Sequence, residues 1–231
     1  MKAILLDIEG TTTPIDFVHK TLFPFAKERV GEYVAAHFGE LQSEIEALRS
    51  EYEAETDYRA GFDPASPASV AGYLEFLIEV DRKSTPLKSL QGRIWQAGYE
   101  SGALRSEMFE DVPRALRRWK DGQKTIAVFS SGSVLAQRLI FKYSNAGDLA
   151  ALIDDYFDTT TGPKREPESY GRIAGALQTA PGDVLFVSDA PAELDAARAA
   201  GLPTALALRE GNAPLKEDPT HRIVETFDAL E

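Results

Sequence analysis

The feature of this sequence that most constrains its fold is a series of short apolar runs, each followed by polar residues and then by a helical pattern. The first run is Ile4-Leu5-Leu6, and longer runs follow at 125–129, 184–187 and 204–208. Apolar runs of this length are typical of strands buried on both faces of a sheet. Strands that alternate with helices predict a parallel sheet covered by helices on both faces. We therefore predict an α/β fold with a doubly wound parallel sheet.

The residues between the first two strands show helical periodicity instead of strand-like runs. Four amphipathic segments are indicated, each with apolar residues on one face. These faces are Leu22, Ala26, Val30, Tyr33 and Val34; Leu41, Ile45, Leu48 and Tyr52; Val70, Tyr73, Leu74, Leu77 and Ile78; and Leu87, Leu90 and Ile94. We predict an all-helical domain of residues 15–104, inserted after the first strand of an α/β core formed by residues 1–14 and 105–231.

The net charge of the 231-residue chain restricts the class of its partners. The formal charge is −12 at pH 7, which argues against a nucleic acid or an anionic membrane surface as the partner. A small phosphorylated substrate would also be repelled by this overall field. A phosphate site in this chain therefore needs a local source of positive charge, such as a cation, a lysine or backbone N–H groups.

The sequence also indicates where the protein resides. It contains no cysteine, which excludes disulfides and thiolate metal sites and fits a reducing compartment. It shows no apolar run long enough to span a bilayer and no signal-peptide pattern at its start. We expect a cytoplasmic protein.

Two carboxylates follow the first strand directly. Asp7 and Glu9 are separated by one residue, and Gly10 and Pro14 mark a sharp turn out of the sheet. A lone Asp-x-Glu sequence most often only caps the next helix. Here, however, both acids follow the end of a strand, and ligands bind at the carboxyl edge of open parallel sheets.

Polar residues also follow three later strands. The second strand ends in Ser130-Ser131-Gly132-Ser133, a weaker strand at 156–158 is followed by Lys164, and the run at 184–187 is followed by Asp189. Each has an ordinary explanation: a turn with a helix cap, a solvated lysine, or a charge near a helix start. Because parallel strands end at one edge, we expect all these groups to lie close to Asp7.

These motifs resemble those of the haloacid-dehalogenase-like phosphotransferase superfamily, whose first motif is Asp-x-Asp followed by Thr or Val. In this sequence the second acid is Glu9. The stretch from Asp7 to Ile15, together with Ser130-Ser131-Gly132-Ser133-Val134-x-Ala136-Gln137, is similar to the enolase-phosphatase family of methionine salvage. The resemblance implies a Rossmann-like core with an inserted helical cap that closes over the site and selects the substrate.

The resemblance also implies roles for particular residues. Asp7 would attack the phosphate ester and form an aspartyl-phosphate, with Glu9 as the general acid and base. Asp7, Glu9 and Asp189 would hold one Mg²⁺ per subunit, and Ser130, Ser131 and Lys164 would bind the substrate. For Glu9 the metal contact is through either the side chain or the backbone carbonyl. By this resemblance the substrate is 2,3-diketo-5-methylthiopentyl-1-phosphate, and the enzyme is a monomer.

Several alternatives remain open from the sequence. The chain could be a phosphatase of the same fold acting on a sugar phosphate or phosphoglycolate, a metal-free dehalogenase, or a binding module with a degenerate site. If the lysine of the superfamily aligns one position later in this sequence, Arg165 takes the role given to Lys164. Glu193 either orients waters on the metal or only contributes charge to the first turn of a helix. The base of the enolisation is not identified, with Glu9 and Lys164 as candidates.

Overall fold

The computed structural model describes residues 1–214 and 220–230, so residues 215–219 and 231 of the predicted core lie outside the described residues. Within the described part the protein contains a six-stranded sheet with strand order β3-β2-β1-β4-β5-β6. Every neighbouring pair of strands is parallel, which confirms the predicted sheet. The strands are β1 (Ala3–Leu6), β2 (Thr125–Phe129), β3 (Asp155–Phe157), β4 (Val184–Ser188), β5 (Thr204–Ala207) and β6 (Arg222–Val224).

The four long helices of the predicted insertion fall where the periodicity predicts them, and shorter 3₁₀ and π turns lie between some helices of the chain. They are α1 (Ile15–Phe17), α2 (Phe23–His37), α3 (Gln42–Tyr52), α4 (Pro67–Glu79), α5 (Thr85–Glu100), α6 (Val112–Asp121), α7 (Val134–Lys142), α8 (Pro167–Ala176) and α9 (Pro191–Ala199). Ser84 caps α5, because its side chain accepts a hydrogen bond from the backbone N–H of Leu87.

The sheet is buried on both faces. On one face, Leu5 and Phe186 pack with Tyr170 of α8 and Leu194 of α9. On the other face, Ile4 and its alternate neighbours are also fully buried. This double burial is the reason that the strands are continuous apolar runs without a polar alternation.

The position of β1 determines where a ligand can bind. β1 lies between β2 and β4, so the chain moves to one side of β1 for β2 and β3 and to its other side for β4 to β6. In open parallel sheets the crevice for ligands lies at this point of reversal, outside the carboxyl ends of the strands. Asp7 follows β1 and Asp189 follows β4, at the two strand ends that flank the crevice.

The chain divides into two compact units. The α/β unit consists of Met1–Val18 and Arg105–Glu231, and the helical unit of His19–Leu104. Residues 15–18, which the sequence analysis assigned to the insertion, group with the α/β unit. None of the helices in residues 1–214 and 220–230 is long and apolar enough to cross a membrane.

Within the helical unit, the predicted apolar faces are buried, except that Tyr33 and Tyr52 are half-buried. Val30 of α2, Leu48 of α3 and Leu74 of α4 are essentially inaccessible to solvent. Trp95 of α5 is also buried, and its indole N–H donates to the carbonyl oxygen of Leu22 at 2.9 Å. This unit therefore has its own apolar core.

Candidate active site

Asp7 is fixed at the carboxyl end of the central strand. Its backbone N–H donates to the carbonyl oxygen of Val187 at 3.0 Å, which continues the β1–β4 ladder by one residue. Its buried carboxylate accepts a hydrogen bond from the N–H of Ile8 at Oδ1 and from the hydroxyl of Ser188 at Oδ2, at 2.8 and 2.9 Å. Asp7 is thus held in one orientation by the two central strands.

A tight turn follows Asp7. The backbone N–H groups of Thr11, Thr12 and Thr13 converge on the carbonyl oxygen of Ile8 at 2.9–3.2 Å. Gly10 has a φ of +65°, a conformation that favours glycine. A methyl carbon at Gly10 would also lie only 2.3 Å from Asp189 Oδ2. Two features therefore favour glycine at this position: the left-handed backbone conformation and the close approach of the Asp189 carboxylate.

Lys164 is buried against two carboxylates. Its Nζ lies 2.7 Å from Asp7 Oδ1 and 2.6 Å from Glu193 Oε2. Burial opposes the positive charge, but the two carboxylates outweigh it and raise the pKa of Lys164 above its usual range. Arg165, the alternative from the sequence, is exposed to solvent. Lys164 is therefore the residue that the fold directs to Asp7.

Helix α8 holds the loop that carries Lys164. Three of its side chains donate to carbonyl oxygens of the loop: Ser169 to Pro163 at 2.7 Å, Tyr170 to Lys164 at 2.6 Å and Arg172 to Thr161 at 2.7 Å. Because three successive parts of the loop are bonded to one helix, the position of the ammonium group is fixed by the core.

Asp189, which follows β4, and Glu193 of α9 both have raised pKa values. Burial, with repulsion from Asp7 and Glu193, raises the pKa of Asp189 to about 7, and Glu9 adds to this effect. Burial and the charge of Asp7 also raise the pKa of Glu193. Lys164 is the cation beside Asp7 and Glu193, and Asp189 adds a third carboxylate whose charge interacts with this group, so the carboxylates outnumber the lysine.

The serines after β2 lie at the same edge of the sheet. The backbone N–H of Ser130 donates to the carbonyl oxygen of Phe157 at 3.2 Å, and Ser130 Oγ accepts from Gly132 at 3.3 Å. Ser131 is exposed, and Ser133 caps α7 by accepting from Ala136. Since β2 is the direct neighbour of β1, Ser130 and Ser131 follow the strand end adjacent to Asp7.

The donor set suits a hard divalent cation. Residues 1–214 and 220–230 contain no cluster of three or more Asp, Glu, His or Cys side chains that could hold a metal ion by themselves. Mg²⁺ does not require such a set, since it commonly binds one or two carboxylates and keeps several waters. The carboxylates of Asp7 and of Asp189, which follow neighbouring strands and of which Asp189 borders the space beside Gly10, fit this requirement.

The structure adds functional residues that the sequence analysis did not single out. Ser188 Oγ contacts both Asp7 and Glu193, and thereby joins the two carboxylates. Arg209, in the loop after β5, donates through Nε to the carbonyl oxygen of Thr11 at 3.1 Å. Its guanidinium forms a buried bidentate ion pair with Asp111, at 3.0 and 2.9 Å. The sequence shows only an arginine after an apolar run at this position, and nothing in it indicates that this side chain is buried or paired with Asp111.

The comparisons with known proteins decide the family. Residues 1–201 match the family described as haloacid dehalogenase-like hydrolase. The chain is 51% identical to enolase-phosphatase E1 of Synechococcus elongatus over 98% of this chain and 96% of that protein. It is 44% identical to enolase-phosphatase E1 of Drosophila willistoni, over 100% and 97%. The chain belongs to the enolase-phosphatase E1 family of haloacid dehalogenase-like hydrolases.

A solved structure shares the fold of this chain along its whole length. The crystal structure of the Unknown transcript 4 protein (UTR4) of Saccharomyces cerevisiae superposes with a TM-score of 0.82 at 34% identity, covering 99% of each chain. The family resemblance seen in the motif Asp7-x-Glu9 thus extends along the whole chain. The haloacid dehalogenase-like fold predicted from the strand ends is confirmed.

Proposed function

We propose that this chain is a bifunctional enolase-phosphatase acting on 2,3-diketo-5-methylthiopentyl-1-phosphate. It enolises the diketone and removes the phosphate, leaving the acireductone 1,2-dihydroxy-3-keto-5-methylthiopentene in the salvage of methionine from methylthioadenosine. The observation that carries this proposal is the buried Asp7–Lys164 pair at the carboxyl edge of the sheet, in a chain similar to enolase-phosphatases along its full length.

Once the diketone has been enolised, Asp7 acts as the nucleophile in the first step of the phosphoryl transfer. A carboxylate oxygen of Asp7 attacks phosphorus in line with the ester oxygen; the new O–P bond forms as the bond to the substrate oxygen breaks. Glu9 donates its proton to the leaving oxygen, which departs as an enol hydroxyl. The products of this step are the acireductone and an aspartyl-phosphate on Asp7.

In the second step a water molecule replaces Asp7 on phosphorus. Glu9, now ionised, accepts a proton from the attacking water, so that the acid of the first step is the base of the second. The O–P bond to Asp7 breaks, inorganic phosphate leaves, and the carboxylate of Asp7 is restored. The hydrogen bonds from Ile8 and Ser188 keep that carboxylate in its attacking orientation throughout.

Lys164 and the serines bind the transferring group. The ammonium of Lys164, next to Asp7, offsets the negative charge of the phosphoryl oxygens. Ser130 and Ser131 supply hydroxyl donors close to the start of α7, where the helix dipole also favours an anion. These contacts supply the local positive potential that a chain of net charge −12 needs.

Mg²⁺ fits the acidic part of the site. Asp7 and Asp189 would hold it through carboxylate oxygens, together with the side chain or the backbone carbonyl of Glu9. When bound, Mg²⁺ offsets the repulsion between the nucleophile and the phosphate ester. We propose one Mg²⁺ per subunit.

The enolisation needs a base that removes a proton from the carbon next to a carbonyl. Of the two candidates, Lys164 is poorly placed, because its Nζ is engaged by the carboxylates of Asp7 and Glu193 and would have to lose both ion pairs to act as a base. We therefore assign the proton transfer to Glu9. Its carboxylate would take the proton from the carbon and pass it to the carbonyl oxygen, and Glu9 would then take up a proton from solvent before it acts as the acid of the phosphoryl transfer.

The remaining parts of the proposal concern partners and compartment. The helical unit, residues 19–104, would serve as the cap that excludes water and selects the substrate. The substrate is a small phosphate ester, and neither a nucleic acid nor a membrane is expected as a partner of so acidic a chain. We propose a monomer in the cytoplasm.

A panel of phosphate esters tests the substrate assignment. Phosphate release would be measured for the diketone phosphate, a sugar phosphate and phosphoglycolate, each with Mg²⁺ and with EDTA. We expect kcat/KM to be at least about a hundredfold higher for the diketone phosphate, and all activity to require Mg²⁺. A higher kcat/KM for either of the other esters would replace the proposed substrate while leaving the phosphatase chemistry intact.

A further inference from the structure

Asn212 reaches the turn that follows Glu9 from a distant part of the chain. It lies in the loop after β5, and its Nδ2 donates to the carbonyl oxygen of Gly10 at 3.0 Å and to that of Ala207 at 3.2 Å. Thus the amide group of Asn212 joins the end of β5 to the turn between Glu9 and Thr11. This contact belongs to a fifth strand end, in addition to the four on which the proposed chemistry rests.

The orientation of this amide is determined by its partners. Both groups that face Nδ2 are carbonyl oxygens, which accept hydrogen bonds and cannot donate them. A rotation of the amide by 180° would place Oδ1 against two oxygens. The nitrogen must therefore face Gly10 and Ala207, and the oxygen must point in the opposite direction.

Asn212 Oδ1 is a buried acceptor that lacks a hydrogen-bond donor within the described residues. A methyl carbon on Gly10 would lie 3.0 Å from this oxygen and 2.3 Å from Asp189 Oδ2. The two oxygens thus approach the same small space beside Gly10, close enough for one water molecule to contact both. Buried acceptors in native proteins are nearly always satisfied, by protein or by water.

We propose that Asn212 is a positioning residue of the cation site, whose Oδ1 accepts a hydrogen bond from a water molecule bound to the divalent cation. The inference rests on the Mg²⁺ of the proposed function. It explains why an amide occupies this position: Nδ2 fixes the turn at Gly10, and Oδ1 orients a water next to Asp189. Groups that orient the ligands of a metal typically change its affinity ten- to a hundredfold when removed.

Calorimetric titration of the metal-free full-length protein with Mg²⁺ alone tests the inference without relying on turnover. Asn212→Ala removes both the donor and the acceptor, whereas Asn212→Asp removes the donor and retains an oxygen at the position of Oδ1. We expect the Kd for Mg²⁺ to rise at least about tenfold in Asn212→Ala and to stay within about threefold of wild type in Asn212→Asp.

A purely structural role for Asn212 gives a different result. Both variants lose the Nδ2 bonds to the turn, and Asn212→Asp also places a carboxylate oxygen opposite the two carbonyl oxygens. A purely structural role therefore predicts at least as much weakening of Mg²⁺ binding in Asn212→Asp as in Asn212→Ala. The thermal midpoint without Mg²⁺ reports the turn itself, and we expect it to fall in both variants and further in Asn212→Asp. Ala213→Asp, at the exposed neighbouring position, is the control for added negative charge, and we expect it to bind Mg²⁺ as wild type does.

Each of the other outcomes overturns a defined statement. Wild-type affinity in Asn212→Ala, or at least as much weakening in Asn212→Asp as in Asn212→Ala, overturns the inference and leaves the proposed function intact. The Mg²⁺ affinity of Asn212→Asp is expected to be higher than that of Asn212→Ala. If Ala213→Asp raises the Mg²⁺ affinity above that of wild type by the same factor, the added charge alone explains the difference and the inference is overturned. If the wild-type protein does not bind Mg²⁺, the cation of the proposed function is overturned, and this inference with it.

Discussion

Lys164 Nζ lies 2.7 Å from Asp7 Oδ1, although 157 positions separate the two residues in the sequence. Both side chains are buried, and each comes from a loop that follows a strand of the parallel sheet. This ion pair brings together residues that follow β1 and β3, and it places a positive charge beside the proposed nucleophile.

Replacing Lys164 by methionine removes the charge and retains most of the side-chain volume. We expect kcat/KM for phosphate release to fall by about a hundredfold or more, because the transferring phosphoryl group loses its nearest cation. Asp7 and Glu193 would also lose their buried partner, at a cost of about 3–5 kcal/mol in the free energy of unfolding. Arg165→Met, at the exposed next position, is the matched control; an equal loss of activity there would contradict the assignment of Lys164.

A side chain at residue 10 should displace the carboxylate of Asp189. Gly10→Ala imposes a left-handed backbone on alanine, which costs about 1–2 kcal/mol, and adds a clash that costs about 1–3 kcal/mol more. Gly147→Ala is the control, because Gly147 also has a positive φ (+90°) but open space around it. We expect only Gly10→Ala to weaken Mg²⁺ binding. Equal effects of the two variants on Mg²⁺ affinity would refute the role given to Gly10.

The hydroxyl of Tyr170 should matter for stability and activity. Tyr170→Phe leaves the carbonyl oxygen of Lys164 without its 2.6 Å donor, so we expect a loss of about 1–3 kcal/mol in urea unfolding and a lower kcat. Tyr156→Phe provides the control, because the buried hydroxyl of Tyr156 has no hydrogen-bond partner among the described residues. Its removal should leave stability unchanged or increased. A larger loss in the free energy of unfolding for Tyr156→Phe than for Tyr170→Phe would contradict the role given to the Tyr170 hydroxyl.

The ion pair of Arg209 and Asp111 should stabilise the turn after Asp7. Arg209→Met leaves Asp111 buried without its partner, and we expect the free energy of unfolding to fall by about 3–5 kcal/mol. The double variant with Asp111→Leu should recover part of this loss, since no charge is then left unpaired. Arg114→Ala, which breaks only an exposed pair with Asp228, is the control and should leave stability unchanged. Additive effects of Arg209→Met and Asp111→Leu would contradict the coupling.

Local patterns in the sequence predicted much of the sheet and the ends of its first four strands. Asp7, Lys164 and Asp189 could be found because each follows an apolar run, and the parallel order of strands brings such residues to one edge. β6 was missed, since it has only three residues, of which Arg222 and Ile223 are exposed. A strand so short and so little buried produces no apolar run.

The contacts of Ser188, Arg209 and Asn212 could not be predicted from local pattern. Each depends on which side chains from separate loops meet, and this is determined by tertiary packing. Glu193 illustrates the same limit: its spacing from Asp189 suggested either a metal-related role or a helix charge. In the structure its closest charged contact is Lys164, at 2.6 Å.

The most direct test of the central claim, that Asp7 accepts the phosphoryl group, is the turnover of the diketone phosphate by wild type and by Asp7→Asn. Phosphate release and the absorbance of the enol product would be followed together in the presence of Mg²⁺. An amide of the same shape cannot act as the nucleophile, so we expect wild type to form both products and Asp7→Asn to release no phosphate above background. Phosphate release by Asp7→Asn at a rate close to that of wild type would contradict the account.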